Sequence, residues 1–273
     1  MNRETGFWEN MVRHLIIFFH YTSQYIKTKM AYRADFFIYV FSDLLLQSVN
    51  IIFLLVVFTK VPDIKGWDRD QILFIYGFFL VPFAIYSGFL NHLFDVPERY
   101  VLQGELDRVL VRPLNSWFQV VVETMNPELL FGAFAGIAIM IYSGQNMNLV
   151  LTWWDIPVAL VMVFGATLIY AGVYTLLASI GFWSEGKIGL MPMVYNISNY
   201  GRYPTTVYRG AVRFILTWIL PFAFVGFYPS TLLLHRYEYK SYALLTPLVG
   251  IVCFTVAYRV WTIGIRKYRG TGS

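Results

Sequence analysis

The stretch DVPERYVLQGELDRVLVRP, Asp95 to Pro113, carries seven charged residues in a chain that is otherwise mostly apolar. Ile72 to Phe94 precedes it and Trp117 to Tyr142 follows it, and each run is long enough to cross a bilayer, for which about 20 apolar residues suffice. A polar, helix-sized insert between two such runs is one of the few places where a soluble partner could grip the protein. Its blander reading is a solvated linker between helices.

Composition sets the class. The chain is 58% hydrophobic and 14% charged, with a mean hydropathy of +0.56, whereas soluble domains carry roughly 25% charged residues. A soluble 273-residue protein would have to hide several uninterrupted runs of membrane-spanning length, so the expectation is a polytopic, all-α membrane protein. A β-barrel is disfavoured because the runs lack two-residue alternation and are too long for tilted strands. No internal repeat and no low-complexity segment is visible. The single Cys253 lies in an apolar run and offers neither a disulfide framework nor a metal cluster. A net charge of +5 could point to nucleic acid, but its placement along the chain fits membrane orientation instead, so no nucleic-acid partner is expected. No cleavable signal peptide is expected, since Leu15 to Phe19 is too short an apolar stretch and charged residues follow it.

Six crossings are placed at about 36–58, 72–94, 117–142, 153–183, 214–234 and 242–265, preceded by a lead-in over residues 1–35. With a cytosolic N-terminus, 16 of the 21 Lys and Arg fall inside and 5 outside, so both termini are assigned to the cytosol. The inside set includes Lys187, Arg202, Arg209 and Arg213. In the lead-in, Val12, Leu15, Ile16, Phe19 and Ile26 recur at helical spacing, with Arg13, His20, Lys27 and Lys29 on other faces, predicting a helix along the membrane surface.

Within the polar insert, Asp95 is a plausible N-cap and Pro97 suits the first helical position. Leu102, Leu106, Val109 and Leu110 make one apolar stripe, and Arg112-Pro113 stops the helix. Glu105 and Arg108 are spaced to pair, and Gly104 admits a bend or a division into two short helices. GFWSEGKI, Gly181 to Ile188, superficially has phosphate-loop spacing. It is rejected, because Ile188 stands where a magnesium-binding hydroxyl is needed and an apolar span precedes it. Asn196-Ile-Ser198 is a formal glycosylation sequon on the side assigned to the cytosol.

Three carboxylates fall in or near the crossings. Glu123 and Glu128 flank Asn126-Pro127, which could break the third helix; either both are intramembrane groups or the crossing begins later and leaves Glu123 at the headgroups. Gly132 and Gly136 form a GxxxG pair that permits close helix approach. Asp43, partly into the first crossing, is read as paired or snorkelling. Pro221 and Pro229 within LPFAFVGFYPS predict a kinked fifth crossing, with a short re-entrant turn as one form it could take.

Four segments together resemble the permease subunits of ABC-2 type ABC exporters, in the branch of stand-alone six-helix permeases. They are GELDRVLVRPL (Gly104 to Leu114), RYPTTVY (Arg202 to Tyr208), LPFAFVGFYP (Leu220 to Pro229) and WTIGIRKYRG (Trp261 to Gly270). One departure is the charged segment His235 to Lys240. The resemblance implies a second permease subunit, identical or not, and a separate ABC ATPase that holds ATP and Mg, with no cofactor, metal or catalytic residue on this chain. It implies that Asp95 to Pro113 is the coupling helix, with Asp95, Glu98, Arg99, Gly104, Glu105, Leu106, Asp107, Arg108, Arg112 and Pro113 as coupling residues, and that the N-terminal helix connects it to the crossings. Asp43, Glu123, Glu128, Pro221 and Pro229 are then candidates for the pathway or for its structural support. The implied function is export of a cargo across the cell membrane, and the 19% aromatic content is compatible with an apolar or amphipathic one. The rival class is a membrane-embedded enzyme built on Asp43, Glu123 and Glu128 with His92. It lacks HExxH, a paired Asp motif or a Ser-His arrangement. A scaffold without cargo would share the bundle.

Overall fold

The computed structural model describes residues 16–24, 27, 33–123, 125–184 and 189–268. Val12, Arg13, His14, Leu15, Ile26, Lys29 and the span from Glu185 to Ile188 lie outside the described residues. The chain is an all-α membrane protein. Among the described residues five helical spans are long and apolar enough to cross a bilayer: Arg33–Phe58, Arg69–Phe89, Pro127–Asn146, Asp155–Ile180 and Tyr237–Lys267. A sixth unit, Gly210–Ile219 with Phe222–Leu233, is bent by 74°.

We label the helices α1 (Arg33–Phe58), α2 (Arg69–Phe89), α3 (Leu106–Leu110), α4 (Ser116–Glu123), α5 (Phe131–Asn146), α6 (Asp155–Ile180), α7 (Leu190–Ser198), α8 (Gly210–Phe214), α9 (Phe227–Leu233) and α10 (Lys240–Lys267). Asp68 starts α2 with a reciprocal cap: its carboxylate accepts from the Gln71 amide at 2.8 Å while Gln71 accepts from the Asp68 amide.

Two helix pairs form the body, and small residues let them touch. A Cβ on Gly77 would lie 2.7 Å from the Gly136 carbonyl oxygen, so α2 and α5 meet backbone to backbone. Cβ atoms on Gly165 and Gly172 would come within 2.7 Å of Pro247 and Cys253, which closes α6 on α10. Lipid offers no hydrophobic driving force between helices, so this close van der Waals contact is what can hold them together. By contrast α1 buries only Gln47 and Leu54.

Two expected boundaries move. The third crossing does not run from Trp117. Asn126, with φ −121° and ψ 69°, interrupts the chain before Pro127, so α4 stands apart and the apolar span is Pro127–Asn146. The fifth crossing is not 214–234. Thr206, before the bent unit, accepts a hydrogen bond from Trp67 Nε1 at 3.1 Å, and Arg236, after it, sits 4.9 Å over the same Trp67 ring. The bent unit therefore enters and leaves at one end of the bundle, turning at Leu220-Pro221.

Residues 190–206 make the passage instead. Tyr195 meets Phe94 near the polar insert, Arg202 meets the face of Tyr76 midway along α2, and Thr206 reaches Trp67 at the far end. Pro204 holds its neighbour Tyr203 extended, with φ −118° and ψ 154°, so the upper part of this passage is not helical. Its backbone is shielded by protein, as Ser198, Gly201 and Thr205 are buried. Arg202 thus lies inside the bundle and Arg209 and Arg213 lie at the Trp67 end, which reduces the charge bias without reversing it. In the sequon the acceptor Asn196 is exposed while Ser198 is fully buried.

Candidate functional site

The polar insert folds as an elbow of short helical pieces rather than one helix. A tight 3-10 turn, Asn91–Asp95, leads into a wide π turn, Val96–Leu102. Gly104 then takes φ 76°, a left-handed conformation that a side chain resists, and α3 follows. Asp95 does not cap the turn. Its carboxylate lies 2.9 Å from His92 Nδ1 instead, because Asp95 already has helical dihedrals as the preceding turn runs into the next. The single apolar stripe also divides: Leu106 and Val109 are buried, whereas Leu102 and Leu110 face outward.

An ion-pair chain stiffens the elbow. Arg99 Nε donates to Glu105 at 2.9 Å, Arg108 reaches the same carboxylate oxygen at 3.3 Å, and Arg108 also reaches Glu123 of α4 at 2.7 Å. The other Glu123 oxygen accepts from the Tyr100 hydroxyl at 3.0 Å. Burial, reinforced by the Glu123 charge, pushes the Tyr100 phenol above its ordinary range, so it remains protonated as the donor. Glu123 therefore belongs to the elbow and not to the membrane interior.

The elbow is tied to four other elements. Gln119 of α4 donates to the Val109 and Leu114 carbonyls, at 3.1 and 3.0 Å. Trp117 donates to Thr175 of α6 at 2.8 Å, and Trp261 of α10 donates to Ser116 at 3.2 Å. Pro97 packs on Gly181, where a Cβ would approach its ring to 3.0 Å. Residues 16–24 are helical and lie against the elbow: Arg112 donates to Tyr21 at 3.3 Å, and the Phe18 and Phe89 rings are 6.1 Å apart.

Above these anchors the elbow's outer face is uncovered. Val111 is 81% exposed, with Leu102 and Leu110 also exposed among Glu98, Asp107 and Arg108; Pro113 is exposed at the exit. Leu102, Leu110 and Val111 thus place apolar side chains among charges at the tip. Periodicity could not find Val111, because it falls outside the stripe. Tyr100 and Gln119 were likewise missed, since their roles depend on contacts made across the fold.

The interior candidates lie in separate parts of the fold, except Pro221 and Pro229, which share the bent unit. Asp43 borders Gly132 of α5, and one turn on Gln47 accepts from the buried Tyr76 hydroxyl. Glu128 is buried at the start of the Pro127–Asn146 span. Pro221 forms the turn of the bent unit and Pro229 is buried inside α9. Among the described residues no group of three His, Cys, Asp or Glu is placed to hold a metal ion. The enzyme reading, which needs converging carboxylates, is not favoured.

A family model described as ABC-2 family transporter protein matches residues 44–272. No curated protein and no solved structure matches the chain.

Proposed function

The chain belongs to the ABC-2 transporter family, and from that premise we propose that it is a permease subunit that exports cargo using ATP hydrolysed by a separate ABC ATPase docked on the elbow. The observation that carries this reading is the contrast within the elbow, where an exposed apolar and charged face overlies a network tied to α4, α6 and α10. A rigid partner pressing on α3 would move the ends of α6 and α10 through Gln119, Trp117 and Trp261. The helix over residues 16–24 would follow through Tyr21 and Arg112. In this reading both termini and the elbow face the cytosol, ATP and Mg belong to the partner, and the chain itself performs no catalysis. A second permease, identical or related, completes the pathway, and the weakly buried α1 has surface free for it. The cargo is read as apolar or amphipathic.

Co-expression with a candidate ABC ATPase, followed by reconstitution in vesicles, tests the proposal. Double substitution Leu102→Asp and Val111→Asp should abolish ATPase capture and cargo-stimulated hydrolysis while leaving the permease inserted and folded. Full capture by that variant would overturn the docking assignment.

A further inference from the structure

At the Trp67 end, a cavity of about 200 Å³ opens between the bent unit and α10, away from the elbow, with Arg213, Phe214, Thr217, Trp218, Tyr228 and Tyr242 around it. Thr217 and Tyr228 are buried, and their hydroxyl oxygens, 3.3 Å apart, join the two arms of the unit. Tyr242 stacks on Tyr228 with ring centroids 4.9 Å apart, closing the wall on the α10 side. Arg213 is exposed, and among the described residues it makes no ion pair. Phe214 and Trp218 beside it are more than half exposed.

Depth decides what could enter. Gly210 and Tyr242 belong to the first turns of α8 and α10, so Arg213 lies only about 4.5 Å further along its helix than Gly210. With α10 entering the bilayer at its first turn, this places Arg213 at the headgroup level, where indole rings such as Trp218 also settle. A guanidinium and two hydroxyls suit the oxygens of a phosphate, which Arg can hold through paired charge-assisted hydrogen bonds. The exposed faces of Phe214 and Trp218 suit acyl chains. The volume is below the roughly 300–1,000 Å³ of drug-sized ligand pockets, which fits a headgroup phosphate better than a whole soluble metabolite.

We propose that this cavity binds the phosphate of a membrane phospholipid, with Arg213 as the charged contact, Thr217 and Tyr228 as hydroxyl partners, and the acyl chains lying along Phe214 and Trp218. A bound lipid bridges the bent unit and α10. The site does not depend on the ATPase assignment.

Native mass spectrometry of the full chain in detergent doped with phosphatidylglycerol tests it. The wild type should retain lipid. Arg213→Gln should weaken retention about tenfold, the equivalent of one charge-assisted hydrogen bond. Thr217→Val, nearly the same shape, should weaken it severalfold, and Arg209→Gln should leave it unchanged. Each variant's melting temperature establishes that it is folded, and Thr217→Val preserves the test if Arg213→Gln does not fold. Wild-type retention by whichever of these two variants folds, or an equal loss in Arg209→Gln, which would mark nonspecific charge attraction, would overturn the site. Inorganic phosphate at millimolar concentration should not displace the lipid. Displacement that requires Arg213 would identify a soluble phosphate ligand and overturn the lipid assignment.

Discussion

The elbow and the bent unit at the Trp67 end both interrupt the helical bundle, yet they are held by opposite means. The elbow is fixed by an ion chain through Arg99, Glu105, Arg108 and Glu123, whose side chains retain between 17% and 47% of their exposure. The bent unit is fixed by aromatic packing and by backbone contact, as a Cβ on Gly201 would collide with the Phe222 carbonyl and one on Gly226 with the Gly201 carbonyl. Charges at a wet surface can be re-paired by a partner at small cost, whereas a backbone seated on a backbone has no alternative arrangement. One end is therefore suited to receive a signal and the other to keep its shape.

Gly201→Leu gives the largest expected effect. Its side chain has only the Phe222 backbone to displace, and overpacking of that kind costs typically 1–3 kcal/mol and occasionally more. We expect a loss of about 3 kcal/mol or more, seen as aggregation on size-exclusion chromatography or a large fall in melting temperature. A variant that melts like the wild type would mean the bent unit is not seated on Gly201.

Arg108→Glu comes next. It removes the 2.7 Å contact to Glu123 and adds a carboxylate beside Glu105 and Glu123. Because Arg108 is half exposed, solvent screens part of the loss, and about 2 kcal/mol is expected. Adding Glu123→Arg should recover much of it. Raising salt to 1 M should weaken the wild-type elbow toward the variant and leave the Trp67 end unaffected, since the Debye length falls to about 3 Å. Hydrogen exchange of residues 96–110 against residues 222–233 reads both ends in one experiment.

Gly104→Ala is milder. A side chain at φ 76° costs about 1 kcal/mol. An unchanged melting temperature would show that the left-handed conformation at Gly104 is not what the elbow depends on.

The long crossings were legible because lipid imposes a length on any apolar helix. What length cannot encode is direction. LPFAFVGFYPS is apolar enough to span, and Pro221 announces its kink, but only the shared contact of Thr206 and Arg236 with Trp67 shows that the chain turns back. The reverse failure hides residues 190–206. Asn196, Asn199, Arg202 and Pro204 make them look like a loop, and the part that leaves helical geometry is accommodated because Ser198, Gly201 and Thr205 are buried. At the elbow, Gly104 and the Glu105–Arg108 pair could be read from spacing. The link from Arg108 to Glu123 could not, as it depends on where Asn126-Pro127 starts the next span.

Val111→Asp should have the smallest effect on the protein alone and a decisive one on its proposed partnership. Val111 is 81% exposed and has almost no packing to lose, so the melting temperature should hold within the range of about 0.5 kcal/mol typical of surface changes. An ATPase surface that buries it would meet an unpaired carboxylate, and desolvating that charge without a partner is far costlier than losing a methyl contact. Coupled hydrolysis should then fall while the elbow's ion chain remains intact. If coupling persists in Val111→Asp but fails in Arg108→Glu, the partner grips the charged flank of the elbow instead of its apolar tip, and the signal enters through Glu123.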